Sequence, residues 1–249
     1  MDIGRILRFL DNQLKIREIE DASQNGLQVQ GKREINKIGF AVDSDIETLK
    51  KAKANSCGLL IVHHGLFWSD KSLLVGLKYN RIRFLMENSL ALYACHLPLD
   101  MHEEYGNNIS LARMIGLKGI SPFGYSHGFA IGFSGEIEKM PIEKLAELVD
   151  SKLGSNSKIH RFREMPVQRI GIISGSGGSG VYECPGLGVD TLLTGEANYH
   201  RLLDAREIGI NVIEAGHYET ETIGLKRLMD KVNEVLGAEC VFIDSKKEL

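Results

Sequence analysis

Lys37-Ile38-Gly39-Phe40-Ala41-Val42-Asp43 runs from a basic residue through Ile and Gly into an apolar stretch, and Arg169-Ile170-Gly171-Ile172-Ile173-Ser174-Gly175 nearly writes it again. The likeness continues outward from both. Gly58-Leu59-Leu60-Ile61-Val62 resembles Asp190-Thr191-Leu192-Leu193-Thr194, and Ala94-Cys95-His96 resembles Ala215-Gly216-His217, in the same order and at similar offsets. Short runs rich in β-branched residues, separated by segments of helical period, mark strands alternating with helices. Strands are expected at residues 37–43, 58–63, 90–96, 129–134, 169–174, 191–194, 211–215 and 240–243. Helices are expected at 45–54, 80–88, 108–115, 142–153, 198–207 and 221–236. This alternation predicts an α/β fold of two similar lobes with mainly parallel sheets flanked by helices. The division is expected near residues 125/126, between an N-terminal lobe 1–125 and a C-terminal lobe 126–249 that exchange terminal elements.

At 249 residues the chain is long enough for one large domain or two small lobes, given a typical domain of ~150 residues. Its 43% hydrophobic and 25% charged residues match a folded globular protein and exclude a disordered or collagen-like chain. A net charge of -3 argues against a general polyanion binder, although local basic groups remain: Lys32-Arg33, Arg81 with Arg83, and Arg161-Phe162-Arg163. Cys57, Cys95, Cys184 and Cys240 are scattered with no close pair, which suggests neither a disulfide framework nor a zinc ribbon and points to a reducing, cytoplasmic compartment. No apolar run approaches the ~18 to 20 residues a membrane span needs. Residues 1–11 mix charge with Ile6, Leu7, Phe9 and Leu10, as an amphipathic helix does and an export signal does not.

In parallel sheets ligands gather at the carboxyl ends of the strands, so the polar residues there come first. The run Leu59-Leu60-Ile61-Val62 delivers His63 and His64 together. A lone histidine is usually structural or exposed, but imidazole is also the commonest metal ligand. The strand Leu92-Tyr93-Ala94-Cys95 ends in His96, with Asp100 four residues on; Val212-Ile213-Glu214-Ala215-Gly216 ends in His217, with Glu221 four residues on. Thr220 fits a helix N-cap, which would put Glu221 in the first turn. One histidine with an acid four residues later is common by chance; two in corresponding places of a repeat are not.

His63, His64, Asp100, His217 and Glu221 offer three nitrogens and two carboxylates, one donor more than a single tetrahedral zinc needs. A carboxylate can bridge two ions ~3.5 to 4 Å apart, an arrangement that lowers the pKa of water and favours hydrolysis. The mixed N and O donors suit zinc, iron, manganese or nickel without ranking them.

His63-His64-Gly65-Leu66-Phe67-Trp68, His96-Leu97-Pro98-Leu99-Asp100 and Gly216-His217-Tyr218-Glu219-Thr220-Glu221 together resemble the NIF-three-like dinuclear metal-centre family, also called GTP cyclohydrolase I type 2-like. Asn25-Gly26-Leu27-Gln28-Val29, the Gly-rich segment and Thr194-Gly195-Glu196 carry the resemblance nearly end to end. It implies two divalent ions per chain on His63, His64, Asp100, His217 and Glu221, with Glu221 bridging, and a metal cleft between two lobes. It also implies a ring-shaped homohexamer and GTP cyclohydrolase activity. The family commonly has proline where Gly65 stands, a change expected to affect loop stiffness more than ligation.

His96 stands outside the ligand set that the resemblance implies and is expected to orient Asp100. His127 and Glu196 sit near strand ends, where a proton carrier could stand, though single residues there are more often structural. Ser174-Gly175-Ser176-Gly177-Gly178-Ser179-Gly180 could present backbone N–H groups to a phosphate; it lacks the lysine and spacing of a P-loop, and a flexible turn explains it equally well. Two classes stay open. One is a metal-dependent hydrolase acting on a nucleotide or a related phosphorylated small molecule. The other is a metal-bearing, ring-shaped scaffold or single-stranded nucleic-acid binder without catalysis, or a metal store.

Overall fold

The structure is a computed structural model that describes residues 1–69, 73–126 and 128–247. In chain order the elements are α1 (Ile3–Leu14), β1 (Gly26–Val29), β2 (Lys37–Asp43), α2 (Ile46–Ala54), β3 (Leu59–His64), α3 (Gly76–Glu87), β4 (Ala91–Ala94), α4 (Leu97–Asp100) and α5 (Asn107–Met114). They continue with β5 (Lys118–Ser126), β6 (Phe129–Met140), α6 (Ile142–Leu153), β7 (Lys158–His160), β8 (Val167–Ile173), a 3-10 turn (Gly177–Tyr182), α7 (Cys184–Leu187) and β9 (Thr191–Thr194). Last come α8 (Tyr199–Ile208), β10 (Asn211–Glu214), α9 (His217–Leu236) and β11 (Glu239–Phe242). Internal contacts divide the chain into Met1–Leu99 with Leu225–Leu249, and Asp100–Gly224. Residues 125/126, where the sequence suggested a division, lie at the end of β5 inside the second unit; the terminal segment from Leu225 belongs to the first.

The sheet of the first unit has the order β1-β4-β3-β2-β11. All its pairings are parallel except that of the edge strand β1. Leu59, Leu60, Ile61 and Val62 are completely buried, because both faces of the sheet are covered and neither parity of the strand meets water. Leu60 and Val62 pack with Leu49 and Ala52 of α2 and Ile82 and Leu85 of α3. On the other face, the hydroxyl of buried Tyr93 donates to Asp11 of α1 at 2.9 Å. Asp45 caps α2 through the amides of Glu47 and Thr48.

The second sheet has the order β5-β6-β8-β9-β10-β7. Here the expectation of mainly parallel strands fails. Only β8-β9-β10 run parallel; β6, β5 and β7 add antiparallel pairings. The cause is local: only two residues separate β5 from β6, too few for the crossover that parallel strands need. Pro122 in β5 is tolerated because β5 is an edge strand. Alternation sorts the core cleanly, with Ile170, Ile172, Leu193 and Ile213 packing against α5 and α6. Ile173, Leu192 and Val212 pack with Val181, Cys184 and Ala205 on the opposite face.

The internal repeat is visible in these orders. Each sheet contains three parallel neighbours, β4-β3-β2 and β10-β9-β8, followed on one side by a short antiparallel edge strand, β1 or β7. The edge strand precedes the three parallel strands in sequence both times. No described helix is long and apolar enough to cross a membrane.

The turn from α6 into β7 depends on one carboxylate. Asp150 accepts from the Ser155 hydroxyl at 2.6 Å and from the Ser157 amide at 3.0 Å. Burial alone would raise this carboxyl, but the serine hydrogen bonds outweigh it and hold it below the ordinary value. A lowered carboxyl stabilises the fold above its unfolded pKa, and that contribution is lost as pH falls through its folded pKa. Asp150→Ala is therefore expected to cost about 1 kcal/mol at pH 7, read from urea unfolding, with the gap to wild type closing as pH falls through the lowered folded pKa. A gap that stayed constant over that range would contradict this.

Candidate metal centre

In the first unit the carboxyl ends of β3 and β4 bring three imidazoles together. His63 and His64 close β3, and His96 follows β4. Their ring centroids lie 4.9 Å (His63 to His64), 5.1 Å (His63 to His96) and 5.8 Å (His64 to His96) apart. One ring nitrogen from each lies within 4.8 Å of the others, so the three form a group able to hold a metal ion. The Trp68 ring meets His96 edge-on at 5.1 Å.

Each ring has its Nδ1 tied down. His63, completely buried, pairs Nδ1 with the Cys95 carbonyl at 2.9 Å. His64 Nδ1 meets Asp43 Oδ1 at 2.9 Å, the two residues standing opposite each other in the β2–β3 register. His96 Nδ1 meets Asp21 Oδ1 at 2.9 Å. When Nδ1 carries the proton toward such an acceptor, Nε2 is left with its lone pair, the arrangement characteristic of metal-binding histidines. Burial would push the Asp21 carboxyl up, but the His96 ring, the Asn25 amide and the Ser23 N–H reverse this and hold it at about 2.

The signature Asn25-Gly26-Leu27-Gln28-Val29 supports this cluster. Asn25 donates to Asp21 at 2.8 Å and accepts from the His96 amide at 2.7 Å. Gln28 Oε1 accepts from the Leu66 amide at 2.7 Å and so holds the segment after His64. A Cβ on Gly65 would stand 2.4 Å from the Gln28 amide group, so glycine here makes room for the side chain that fixes the loop.

In the second unit the carboxyl ends of β8, β9 and β10 do the same work. His217 opens α9, and Glu221, one turn on, places Oε1 3.1 Å from His217 Nε2. On the other side of the ring, His217 Nδ1 meets Glu196 Oε1 at 3.0 Å, and the Ser176 hydroxyl donates to the same oxygen at 2.6 Å. Glu221 does most to raise the His217 imidazole, which stands at about 9 with Glu196 adding to the effect against the opposing influence of burial. Two donors of one ion lie about 3 to 3.5 Å apart when each is about 2.1 Å from it, so the spacing of Nε2 and Oε1 fits a shared cation.

Asp100, nearly buried, accepts from Asn107 Nδ2 at 2.8 Å and from the Ser174 hydroxyl at 2.9 Å. Asn107 also accepts from the Gly224 amide of α9 at 2.8 Å, and Asn108 accepts from the Ser174 amide at 2.6 Å. Asn107 and Ser174 thus hold the Asp100 carboxylate, and Asp21 holds the His96 ring. Thr220 is not a helix cap. The helix already begins at His217, and Thr220 Oγ1 lies inside it, donating to the Gly216 carbonyl and accepting from the Gly175 amide at 3.1 Å.

The Gly-rich segment has a structural explanation. A Cβ on Gly177 or Gly180 would strike Ile173, and one on Gly178 would crowd Ala197. These glycines allow close packing. Gly175 matters to the candidate site itself: at φ +58, its Cβ would stand 2.2 Å from Glu221 Oε1 and 3.2 Å from His217 Nε2. Glu196 is placed on His217, and His127 lies outside the described residues. Asp43 and Ser174 stand at the ends of expected strands but carry no histidine-plus-acid pattern to mark them, and Asp21 and Asn107 lie away from the strand ends, so all four escape that reading.

Gly175→Ala is expected to push Glu221 off His217 and weaken divalent-ion uptake by roughly tenfold or more, measured by equilibrium dialysis. Gly209→Ala is the control, since Gly209 has φ +80 but open space around it. Both variants bear left-handed strain of about 1–2 kcal/mol, and only the first should lose ions. Equal uptake by the two would contradict the assignment.

Residues 1–248 match the Duf34/NIF3 (NGG1p interacting factor 3) family. A Pyrococcus horikoshii protein named GTP cyclohydrolase 1 type 2 homolog is 42% identical over 247 residues, covering 98% of each chain. Among solved structures, TTHA1606 from Thermus thermophilus superposes with a TM-score of 0.91 at 36% identity over 100% of both chains. Protein ybgI, described as of unknown function, gives 0.93 at 32% identity, again over 100% of both. By sequence over its whole length and by fold, the chain belongs to the Duf34/NIF3 family.

Proposed function

We propose that the chain is a metal-dependent hydrolase acting on a nucleotide or a related phosphorylated small molecule, with His63, His64, Asp100, His217 and Glu221 holding two divalent ions. The observation that carries this reading is the common treatment of its three histidines. The Nδ1 atoms of His63, His64 and His217 each meet an oxygen acceptor: Cys95 O, Asp43 Oδ1 and Glu196 Oε1. That pattern orients imidazoles as donors through Nε2. Zinc, iron, manganese and nickel all accept such N and O sets. Bound there, divalent ions would polarise a substrate and lower the pKa of water to near neutrality.

The chain's own residues supply position. Asn107 and Ser174 fix the Asp100 carboxylate, and Asn107 ties it to the backbone of the helix that carries Glu221. Glu196 takes the Nδ1 proton of His217 in a hydrogen bond, and Ser176 holds Glu196 in place. The name of the Pyrococcus horikoshii relative favours GTP as the first substrate to try. A reducing, cytoplasmic setting belongs to the same reading, supported by four cysteines none of which is in a disulfide; burial raises Cys57 and Cys240 to about 11 and Cys184 to about 12. So does a homohexamer, supported by the exposed apolar side chains of Leu73, Leu74, Val75 and Leu77, a face that a second copy could cover. The alternative of a metal-bearing scaffold keeps the same ions and lacks turnover.

Glu221→Gln keeps the shape of the side chain and removes its charge. The expected outcome is a loss of turnover of about 100-fold or more across a panel of nucleotides and phosphoesters, with the far-UV spectrum unchanged. Full activity in Glu221→Gln, or in protein stripped of metal, would overturn the hydrolase. Bound metal with no turnover of any compound would favour the scaffold.

A further inference from the structure

Beside His217, the second unit contains a cavity of ≈790 Å³ lined by Lys158, Ser176, Ser179, Glu196, Asn198, Arg201 and Glu214 among others. That is within the range of small-molecule sites. Its two carboxylates are already engaged. Glu196 accepts from Ser176 and meets His217. Glu214 accepts from the Ala197 amide at 2.7 Å and meets His160 Nε2 at 2.6 Å.

The cations are not matched in the same way. Lys158 stands on the edge strand β7, opposite Glu214 in the register, and has no ion pair among the described residues. Arg201 comes from the first turn of α8 and lies over the Tyr182 ring at 4.9 Å. Its Nη1 donates to the Tyr182 hydroxyl and stands 3.8 Å from Asp204, which steadies the guanidinium and leaves Nε and Nη2 as further donors. Asn198 uses its side-chain oxygen to accept from the Arg201 amide, so its NH2 group remains available. The Ser179 hydroxyl adds a further polar group. A rigid guanidinium, a mobile ammonium and neutral donors around one cavity suit an anion with several oxygens.

We propose that this cavity is a phosphoryl-binding site in which Lys158 and Arg201 hold the phosphate or diphosphate end of a ligand whose remainder reaches His217 and Glu221. The assignment deepens the reading of a phosphorylated substrate and rests on it for what the phosphoryl group carries. It also relocates the phosphate contact, from the backbone of the Gly-rich segment to two side chains outside the five proposed metal ligands.

The test is isothermal titration of inorganic pyrophosphate into the full-length chain in one fixed metal state, comparing wild type with Lys158→Ala, Arg201→Ala and Lys158→Glu. Each alanine variant should weaken binding about tenfold, the charge reversal should weaken it further, and added salt should weaken the wild type. Thermal melts check the fold. If Arg201→Ala is destabilised by losing its contact with Tyr182, the exposed Lys158→Glu decides alone. Absence of binding by the wild type, or equal binding by wild type and Lys158→Glu, would overturn the site. Turnover plays no part in this readout, so a chain that binds pyrophosphate through these residues and hydrolyses nothing keeps the site and loses the hydrolase reading.

Discussion

An imidazole can direct one nitrogen at a ligand only if the other is held, and much of this structure serves to hold it. His63 is completely buried, where a polar ring atom without a hydrogen bond would be costly; its Nδ1 meets the carbonyl of Cys95 on the neighbouring chain segment. His64 uses Asp43, the last residue of β2, and His96 uses Asp21 from the segment between α1 and β1. His217 uses Glu196, just beyond β9. Remove these acceptors and the rings could rotate or change tautomer, and the donor set would lose its definition.

The duplicated architecture places this device twice. Both sheets contain a set of three parallel strands in the same relative order, and in both the polar residues stand at the carboxyl ends. The two units reach similar chemistry with different emphasis. The first contributes imidazoles held by carboxylates and a carbonyl. The second pairs one imidazole with Glu221 and adds the buried Asp100, supported by two asparagines that are themselves completely buried. Gly175 and Gly195 set how closely the second group packs, since a Cβ on Gly195 would stand 2.8 Å from the His217 Cα.

Much of this was legible in the sequence where local pattern and tertiary demand agree. β2, β9 and α6 lie where their residue patterns put them, because continuous apolar runs and helical periodicity leave little choice. β1, β5 and β7 are edge strands, short or interrupted by Gly26, Gly119, Pro122 and Gly124, and their pairing comes from the neighbouring strand rather than from their own composition. Thr220 has the chemistry of a helix cap, yet the chain turns helical earlier, after Gly216 at φ +90. The histidines were visible as strand-end residues. Their acceptors were not, since Asp21 and His96 are joined only by the fold, and so are Asp100 and Ser174.

The glycines of residues 174–180 show the same limit from the other side. A Gly-rich stretch after a strand suits either a phosphate cradle or a flexible turn, and composition does not choose between them. Here most of the glycines are forced by close packing against Ile173 and Ala197, and the one at 175 by Glu221 and His217. The central claim is that His63, His64 and His217 serve as metal donors through Nε2. Its most direct test is elemental analysis of protein purified without chelator, joined to X-ray absorption at the edge of the metal found. The account predicts two ions per chain with imidazole in their coordination shells; protein that neither carries nor takes up a divalent ion, or holds it without imidazole, would contradict it.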